Sequence, residues 1–196
     1  AEDAFQAIPW EEAGGAQSVF EAGFAATEAE WAAGAGDEGN ALWNSVAALR
    51  DEVNKLMESA RGEKVIGASL EARVCLHATD AAGAARLAAA CAEEGEGNGV
   101  DELRYALLVS GVEMCADADA VRAECPAFVA EAEVDGLGVV TLGVTNAHGC
   151  KCERCWTYST TVGQSERHPT LCSRCEPVVP EDLVYVPIAE LEAASA

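Results

Sequence analysis

Four cysteines in the last quarter of the sequence form two Cys-x-x-Cys pairs, Cys152/Cys155 and Cys172/Cys175, with sixteen residues between the pairs. Each pair is a short turn that can aim two sulfurs at one point, and the residues between the pairs suffice for a turn and a returning strand. Four thiolates complete the tetrahedral shell of Zn²⁺ and leave no open position for a catalytic water. The spacing therefore predicts one structural zinc ion bound by these four residues. Residues 148–176 are called the finger below.

Three other interpretations of these cysteines are open at the level of sequence. A pair of redox motifs would need a βαβ setting and one reactive thiol. Two disulfides would need an oxidising compartment. His168 could replace one sulfur as a ligand, although the four cysteines already satisfy four-coordination. Cys150, two residues before the first pair, is expected to be a free thiol beside the site.

The chain is strongly acidic, with 34 Asp and Glu against 12 Lys and Arg and a formal net charge of −22. Such a charge is not typical of proteins that bind nucleic acids. The finger is the one part that is not acidic, since it carries three acidic residues and four basic ones: Lys151, Arg154, Arg167 and Arg174. A nucleic-acid surface on this chain would therefore be a local basic strip, with modest affinity and a shallow salt dependence.

The remaining features of the sequence indicate the cellular compartment and suggest that the chain is part of a longer one. Four further cysteines lie outside the finger, in apolar or mixed stretches of sequence: Cys75, Cys91, Cys115 and Cys125. We expect them to be buried free thiols, which suits a reducing compartment and not a secreted protein. The apolar runs are too short to span a bilayer. The sequence begins without Met, and residues 5–10 already read like the end of an amphipathic helix. We therefore expect a piece of a longer polypeptide, with no secretory signal.

The strongest helix prediction covers residues 42–60. Apolar residues recur there at spacings of 4, 3, 4, 3 and 4 and form one continuous stripe: Leu42, Val46, Leu49, Val53, Leu56 and Ala60. Asn40 is a suitable cap at the start, and Gly62 follows the end. Residues 1–40 are rich in Ala, Gly and Glu, which fits either a loop crossing a larger body or a disordered spacer.

The sequence pattern over residues 67–147 predicts a small unit of mixed helices and strands. We expect a strand at 73–77, an Ala-rich helix at 80–93 and a short helix passing into a buried strand over 103–112. Two further strands are expected at 127–133 and 137–144, the latter with Val140, Leu142 and Val144 on one face. The fold class is therefore α+β: a helical segment, a small α/β unit and a four-cysteine finger of the zinc-ribbon type.

Several stretches of the sequence, taken in order, match one family. Trp43–Lys55 (WNSVAALRDEVNK) and Lys64–Ala72 (KVIGASLEA) resemble the end of the anticodon-binding helical domain of bacterial-type isoleucyl-tRNA synthetases. Lys151–Trp156 (KCERCW) and His168–Cys175 (HPTLCSRC) are similar to the C-terminal zinc finger of that family, in the version found in organellar enzymes of photosynthetic eukaryotes. The resemblance covers roughly residues 1–176, and the order of its segments is more specific than any one of them.

The resemblance implies a domain organisation. Residues 1–66 would be the end of the anticodon-binding helical domain, 67–147 a small α/β junction, 148–176 the zinc finger and 177–196 a C-terminal tail. The two nucleotide-binding signatures of this enzyme class, His-Ile-Gly-His and Lys-Met-Ser-Lys-Ser, are absent from the sequence. No catalytic residue is therefore expected in this chain, and ATP and isoleucine would bind only to the missing catalytic domain.

The resemblance also implies a partner and a set of contact residues. The chain would help to hold tRNA(Ile), as part of a monomeric, membrane-free enzyme of the cytoplasm, chloroplast stroma or mitochondrial matrix. Lys151, Arg154, Trp156, Arg167 and Arg174 would lie near the anticodon end of the tRNA. We expect Trp156 to pack its indole against the zinc–thiolate unit, with stacking on a base as the alternative. Arg154 and Arg174 would either offset the charge of the sulfurs or contact phosphates.

Two functions of other classes remain open. Zinc fingers of DNA-repair glycosylases of the formamidopyrimidine type share the knuckle spacing, although the helix at 42–60 and the acidity of the chain argue against binding a duplex. A zinc-ribbon module that binds only proteins would suit that acidity. Binding to a damaged duplex in preference to tRNA would favour the first, and no binding to tRNA(Ile) at low salt would favour the second.

Overall fold

The computed structural model describes residues 2–7, 9, 16–23, 36–91 and 102–180. The chain divides into two compact units, residues 1–40 and 41–196. The described helices, named in chain order, are α1 (Glu2–Phe5), α2 (Val19–Ala22), α3 (Gly36–Gly62), α4 (Ala81–Cys91), α5 (Glu102–Leu107) and α6 (Ala118–Glu124). The strands are β1 (Ala72–Ala78), β2 (Gly111–Met114), β3 (Val129–Val134), β4 (Gly138–Asn146), β5 (Cys150–Lys151) and β6 (Tyr158–Ser159).

The first unit contains the two short helices α1 and α2. Ser18 caps α2 by accepting a hydrogen bond from the amide of Phe20. The carboxylate of Glu2 accepts hydrogen bonds from the Ser18 hydroxyl, the Val19 amide and the Gln6 side chain. Much of the predicted loop or spacer over 1–40 lies outside the described residues, as does most of the tail at 177–196.

The long helix α3 begins earlier than its apolar stripe predicts. It runs from Gly36 to Gly62, so Asn40 is a residue within the helix and the prediction that it caps the start is wrong. Its buried face is formed by Val46, Leu49, Val53, Met57 and Ala60. Met57 replaces the predicted Leu56, which is only half-buried, because a helix of 3.6 residues per turn drifts away from a strict 4-3 repeat.

Four strands form one sheet in the order β2-β1-β4-β3. β1 pairs in parallel with β2 and antiparallel with β4, and β3 pairs antiparallel with β4. β1 is buried on both faces, and Val140, Leu142 and Val144 of β4 are buried together as predicted. β2 lies at the edge and is only half-buried, so the prediction of a buried strand there is wrong. β2 is only half-buried because it is the first strand in the sheet order, so only one of its sides pairs with another strand of the sheet.

The two faces of the sheet are covered differently. The main core packs α3, α4 and α5 against one face, with Val74 and Leu76 of β1 at its centre. The other face packs against α6, a helix that the sequence analysis did not predict, through Val121 and Cys125. Gly143 of β4 pairs with Cys75 of β1, and a side chain at Gly143 would collide with Cys125, whose Sγ would lie 2.9 Å from its Cβ.

Candidate metal centre

The finger brings its four pair-forming cysteines to one point. The strands β5 and β6, of two residues each, pair antiparallel on either side of the first cysteine pair, and the second pair leads into a short 3-10 helix, Glu176–Val178. The four Sγ atoms all lie within 4.8 Å of one another. Cys152, Cys172 and Cys175 are buried, and Cys155 is half-buried. Their only apolar companions in this small core are Leu171, which is buried, and the half-buried Val162 and Val179, as far as the described residues show.

The spacing of the sulfurs fits a tetrahedral zinc ion. With zinc–sulfur bonds of about 2.3 Å, the edges of the tetrahedron are about 3.8 Å long. The Sγ atoms of Cys155 and Cys172 are 3.8 Å apart. A disulfide would place its sulfurs about 2.05 Å apart, and none of the nine cysteines forms one. The donor set and its geometry are therefore compatible with one structural zinc.

Backbone hydrogen bonds hold each knuckle in shape. In the first, the amide of Trp156 donates to the carbonyl of Cys152 at 2.8 Å. In the second, the amides of Cys175 and Glu176 donate to the carbonyl of Cys172 at 2.9 and 3.1 Å. The knuckles are also joined, because the amide of Cys172 donates to Sγ of Cys152 over 3.4 Å. The sulfurs are thus positioned by turns that the Cys-x-x-Cys spacing encodes locally.

Two arginines reach across the knuckles to the sulfurs. The guanidinium of Arg154, in the first knuckle, donates to Sγ of Cys175 in the second at 3.6 Å. Arg174, in the second knuckle, donates to the phenol oxygen of Tyr105 at 3.4 Å, and its guanidinium helps to lower the pKa of the Cys155 thiol in the first knuckle. Four thiolates around Zn²⁺ carry a net charge of −2, so these two guanidinium groups lie where they offset it.

The protein environment acts differently on the individual thiols. Burial opposes ionisation of Cys155, but hydrogen bonds from Thr157 and Arg174 outweigh it and lower the pKa of this thiol to about 6. Burial raises the pKa of Cys175 to about 12, in spite of the hydrogen bond from Arg154. A metal that binds all four sulfurs must displace the protons of such thiols.

His168 and Cys150 lie outside the four-sulfur group. His168 is buried, with 1% of its surface exposed, and neither ring nitrogen has a hydrogen-bond partner within the described part of the chain. It is not among the residues whose ligand atoms converge, so the structure does not support it as a replacement ligand. Cys150 is exposed and free, as expected.

The expected packing of the Trp156 indole against the zinc–thiolate unit is not observed. The side chain of Trp156 is 60% exposed, and Nζ of Lys151 lies 5.5 Å from the centre of its ring. Its backbone adopts a positive φ of 65°, which is uncommon for a bulky residue, and the amide hydrogen bond to Cys152 holds this conformation. The turn therefore directs the indole away from the sulfurs, and the small core is formed without it.

Two contacts that no sequence pattern indicated join the finger to the α/β unit, one before strand β2 and one on helix α5. Ser110, immediately before β2, accepts a hydrogen bond from the Tyr158 amide at 2.8 Å and donates one to the carbonyl of Leu70. Tyr105 of α5 receives the hydrogen bond from Arg174. These partners are separated by 48 and 69 residues, so no local pattern indicates them. The remaining basic residue of the finger, Arg167, is exposed and donates to the carbonyl of Pro180 at 3.3 Å.

Comparison with known proteins finds matches to the finger and to most of the chain. A family model described as "Zinc finger found in FPG and IleRS" matches residues 149–178. The isoleucine–tRNA ligase of Nostoc sp. is 42% identical over 179 residues, and that of Thermosynechococcus vestitus is 46% identical over 180 residues. These alignments cover 91% and 90% of this chain. The chain is homologous to one segment of isoleucine–tRNA ligases.

The aligned region is a small part of these enzymes. The chain spans 17% of the length of the two cyanobacterial relatives. It is also 38% identical over 183 residues to the "Isoleucine--tRNA ligase, chloroplastic/mitochondrial" of Arabidopsis thaliana, of which it spans 16%. The match with isoleucine–tRNA ligases extends well beyond the finger. The glycosylase interpretation rests on the finger alone and does not account for the rest of the match. Within the described residues, no helix has the length and apolarity needed to cross a bilayer.

Proposed function

We propose that this chain is the tRNA(Ile)-binding C-terminal part of an isoleucine–tRNA ligase, an enzyme that activates isoleucine with ATP and attaches it to tRNA(Ile). The observation that carries the proposal is the alignment of about 90% of the chain with such ligases at 38–46% identity. Residues 1–66 would end the anticodon-binding domain, 67–147 form the junction, 148–176 the finger and 177–196 a tail. The cytoplasm of a bacterium or the stroma or matrix of an organelle would be the compartment, in line with the relatives.

In this proposal Cys152, Cys155, Cys172 and Cys175 bind one zinc ion. Their convergent sulfurs support this, as does the lack of any other closed core in the finger among the described residues. A shell of four protein ligands leaves no position for a substrate, so the metal fixes the fold of the finger and takes no part in chemistry. The finger then contributes binding energy remote from the reaction, which positions the tRNA for the catalytic domain.

The RNA-facing residues would be Lys151, Arg154, Trp156, Arg167 and Arg174. The exposed indole of Trp156 beside the ammonium of Lys151 supports a stacking role, because an aromatic face next to a cation suits a base with its phosphate. Arg154 already donates to Sγ of Cys175 and Arg174 to Tyr105, so we assign them the smaller share of RNA affinity. Trp156 and Lys151 carry the larger share.

Filter binding of the zinc-loaded chain to tRNA(Ile) tests the proposal. Trp156→Ala is expected to weaken retention by about 1–3 kcal/mol, the value of one stacked base. Val139→Ala shortens another exposed apolar side chain, on β4 of the junction, and serves as the control with unchanged retention. Preference for a duplex containing a damaged base would favour the glycosylase function instead. No retention of tRNA(Ile) at low salt, even when the chain is joined to the rest of the ligase, would favour a protein-binding module.

A further inference from the structure

Two cysteines from distant parts of the sequence meet on the face of the sheet that α6 covers. Cys75 lies on β1 and Cys125 directly follows α6, and neither exposes any of its surface. They form a small core with Val121, against which the half-buried Cys115 and Val129 pack. This thiol cluster is not part of the four-sulfur metal centre, and the function proposed above gives it no role.

The register of the sheet brings the two thiols within reach of each other. Cys75 lies directly opposite Gly143 of β4, and side chains at opposed positions of an antiparallel pair lie on one face with their Cβ atoms about 5 Å apart. Gly143 has no side chain, and Cys125 fills the space that one would take. Its Cβ and Sγ lie 2.6 and 2.9 Å from the position of a Cβ at Gly143. A disulfide needs Cβ atoms about 3.5–4.5 Å apart, so a small movement suffices to link the two cysteines.

The two thiols differ in how readily each loses its proton. The hydrogen bond between them is the largest influence on both: it raises the pKa of Cys75 and lowers the pKa of Cys125. Burial, Cys115 and Glu124 oppose ionisation of Cys125, and Arg73, which is itself ion-paired with Glu124, favours it; the pKa of Cys125 remains lowered. Because the thiolate is the nucleophile in disulfide exchange, Cys125 is the attacking member of the pair.

Helix α6 provides the route by which a reagent reaches the buried pair. It has seven residues, of which only Val121 is buried. Segments with few buried apolar contacts open locally at a smaller free-energy cost than global unfolding. Cys125 follows this helix, so opening of α6 uncovers its sulfur without unfolding the sheet that holds Cys75.

We propose that Cys75 and Cys125 form an oxidisable dithiol that reacts with small disulfides. The Cys125 thiolate attacks one sulfur of the small disulfide, whose S–S bond breaks, and the first small thiolate leaves with the proton that Cys125 released. The sulfur of Cys75 then displaces the second small thiolate from Cys125, and that thiolate takes the Cys75 proton. The chain loses two hydrogens and two electrons, and the small disulfide is reduced to two thiols. The new bond holds the end of α6 against β1.

Mapping of disulfides in the zinc-loaded chain tests the proposal. The chain is incubated with oxidised glutathione, exchange is stopped with acid, the remaining thiols are blocked with N-ethylmaleimide, and the peptides are identified by mass spectrometry. We expect one linked peptide pair that joins Cys75 to Cys125, and reduction should remove it. The exposed Cys150 should carry a glutathione adduct, which shows that the reagent is active. The oxidised chain should also unfold at a higher temperature, because the link constrains the unfolded chain.

Two serine variants test the order of the steps. Cys75→Ser should trap glutathione on Cys125, because the second thiol is missing. Cys125→Ser should leave Cys75 unmodified, because Cys75 is buried and its pKa is raised. Cys150→Ala is the control and should form the Cys75–Cys125 link as the unmodified chain does. Circular dichroism and zinc content show whether each variant folds, and the mapping of the unmodified chain does not depend on them.

Three results would overturn the dithiol. The first is a chain with glutathione on Cys150 and no link between Cys75 and Cys125. The second is a link from Cys75 to Cys115 in place of Cys125. The third is a linked chain that unfolds at a lower temperature than the reduced one, which would show that the bond does not fit the native sheet. None of these results bears on tRNA(Ile), so the proposed function stands or falls separately.

Discussion

Replacement of Ser110 by Ala should loosen the finger from the sheet without removing the metal. The Ser110 side chain is the acceptor for the Tyr158 amide, at 2.8 Å, and the donor to the Leu70 carbonyl. Ser110 is 8% exposed, and a buried polar group left without its partner costs about 1–3 kcal/mol. Solvent at the edge of the sheet can partly replace the hydroxyl at Tyr158, so we expect a loss of about 2 kcal/mol in total. The four cysteines are untouched, so zinc content should not change.

Amide hydrogen exchange measures this loss directly. Because 1.4 kcal/mol corresponds to a factor of ten, a loss of about 2 kcal/mol should speed exchange of the Tyr158 amide roughly 30-fold. Ser59→Ala is the matched control, since its hydroxyl donates to the Lys55 carbonyl on the exposed side of α3. Surface substitutions of that kind change stability by about 0.5 kcal/mol or less. Equal exchange at Tyr158 in the two variants would refute the role of Ser110 in docking the finger.

The remaining predictions concern the metal centre and the packing of the sheet. Cys172→Ala should unfold the finger and abolish its dispersed NMR signals, because three ligands do not complete the shell. Cys150→Ala, at the exposed thiol, should leave the spectrum unchanged. A folded finger in the Cys172→Ala variant would contradict the ligand set. Gly83→Ala should destabilise the chain by about 3 kcal/mol in thermal or urea unfolding, because the added Cβ would lie 2.2 Å from the Leu137 carbonyl oxygen. Gly62→Ala, with nothing within 4 Å, should match or slightly exceed the wild-type stability, and equal stability of the two variants would show that the contact at Gly83 yields easily.

The sequence predicts most of the secondary structure because most elements carry a repeating apolar pattern. The apolar stripe of α3 and the alternation in β1 and β4 predict these three elements. β1 and β4 appear close to their predicted bounds, whereas α3 begins six residues before its stripe. Helix α6 is missed because Val121 is its single buried residue, so it has no period to detect. Its signal is the cap at Asp117, which accepts from the Ala120 amide.

The candidate metal centre is predictable because its geometry is local. Two residues between cysteines are enough to specify a knuckle, and the pairing of two knuckles follows from four-coordination. The contact of Arg154 with Cys175 depends on how the knuckles face each other, which spacing does not encode. The exposure of Trp156 depends on a positive φ at a residue other than glycine, which no sequence pattern indicates.

The docking of the finger could not be predicted, because its partners come from parts of the chain that are distant in sequence. Ser110 and Tyr158 are 48 residues apart, and Tyr105 and Arg174 are 69 residues apart. No local sequence pattern connects the members of either pair.

Native mass spectrometry of the chain tests the central claim most directly, namely that one metal ion organises the finger. The account predicts a folded species heavier than the polypeptide by one zinc ion, and a shift to the highly charged ions of an opened chain when a chelator removes it. Zinc binding contributes about 10–16 kcal/mol in zinc-finger peptides, and the described part of the finger has only a small apolar core around its cysteines. A compact, metal-free chain with the same charge-state distribution as the zinc-loaded one would contradict the account.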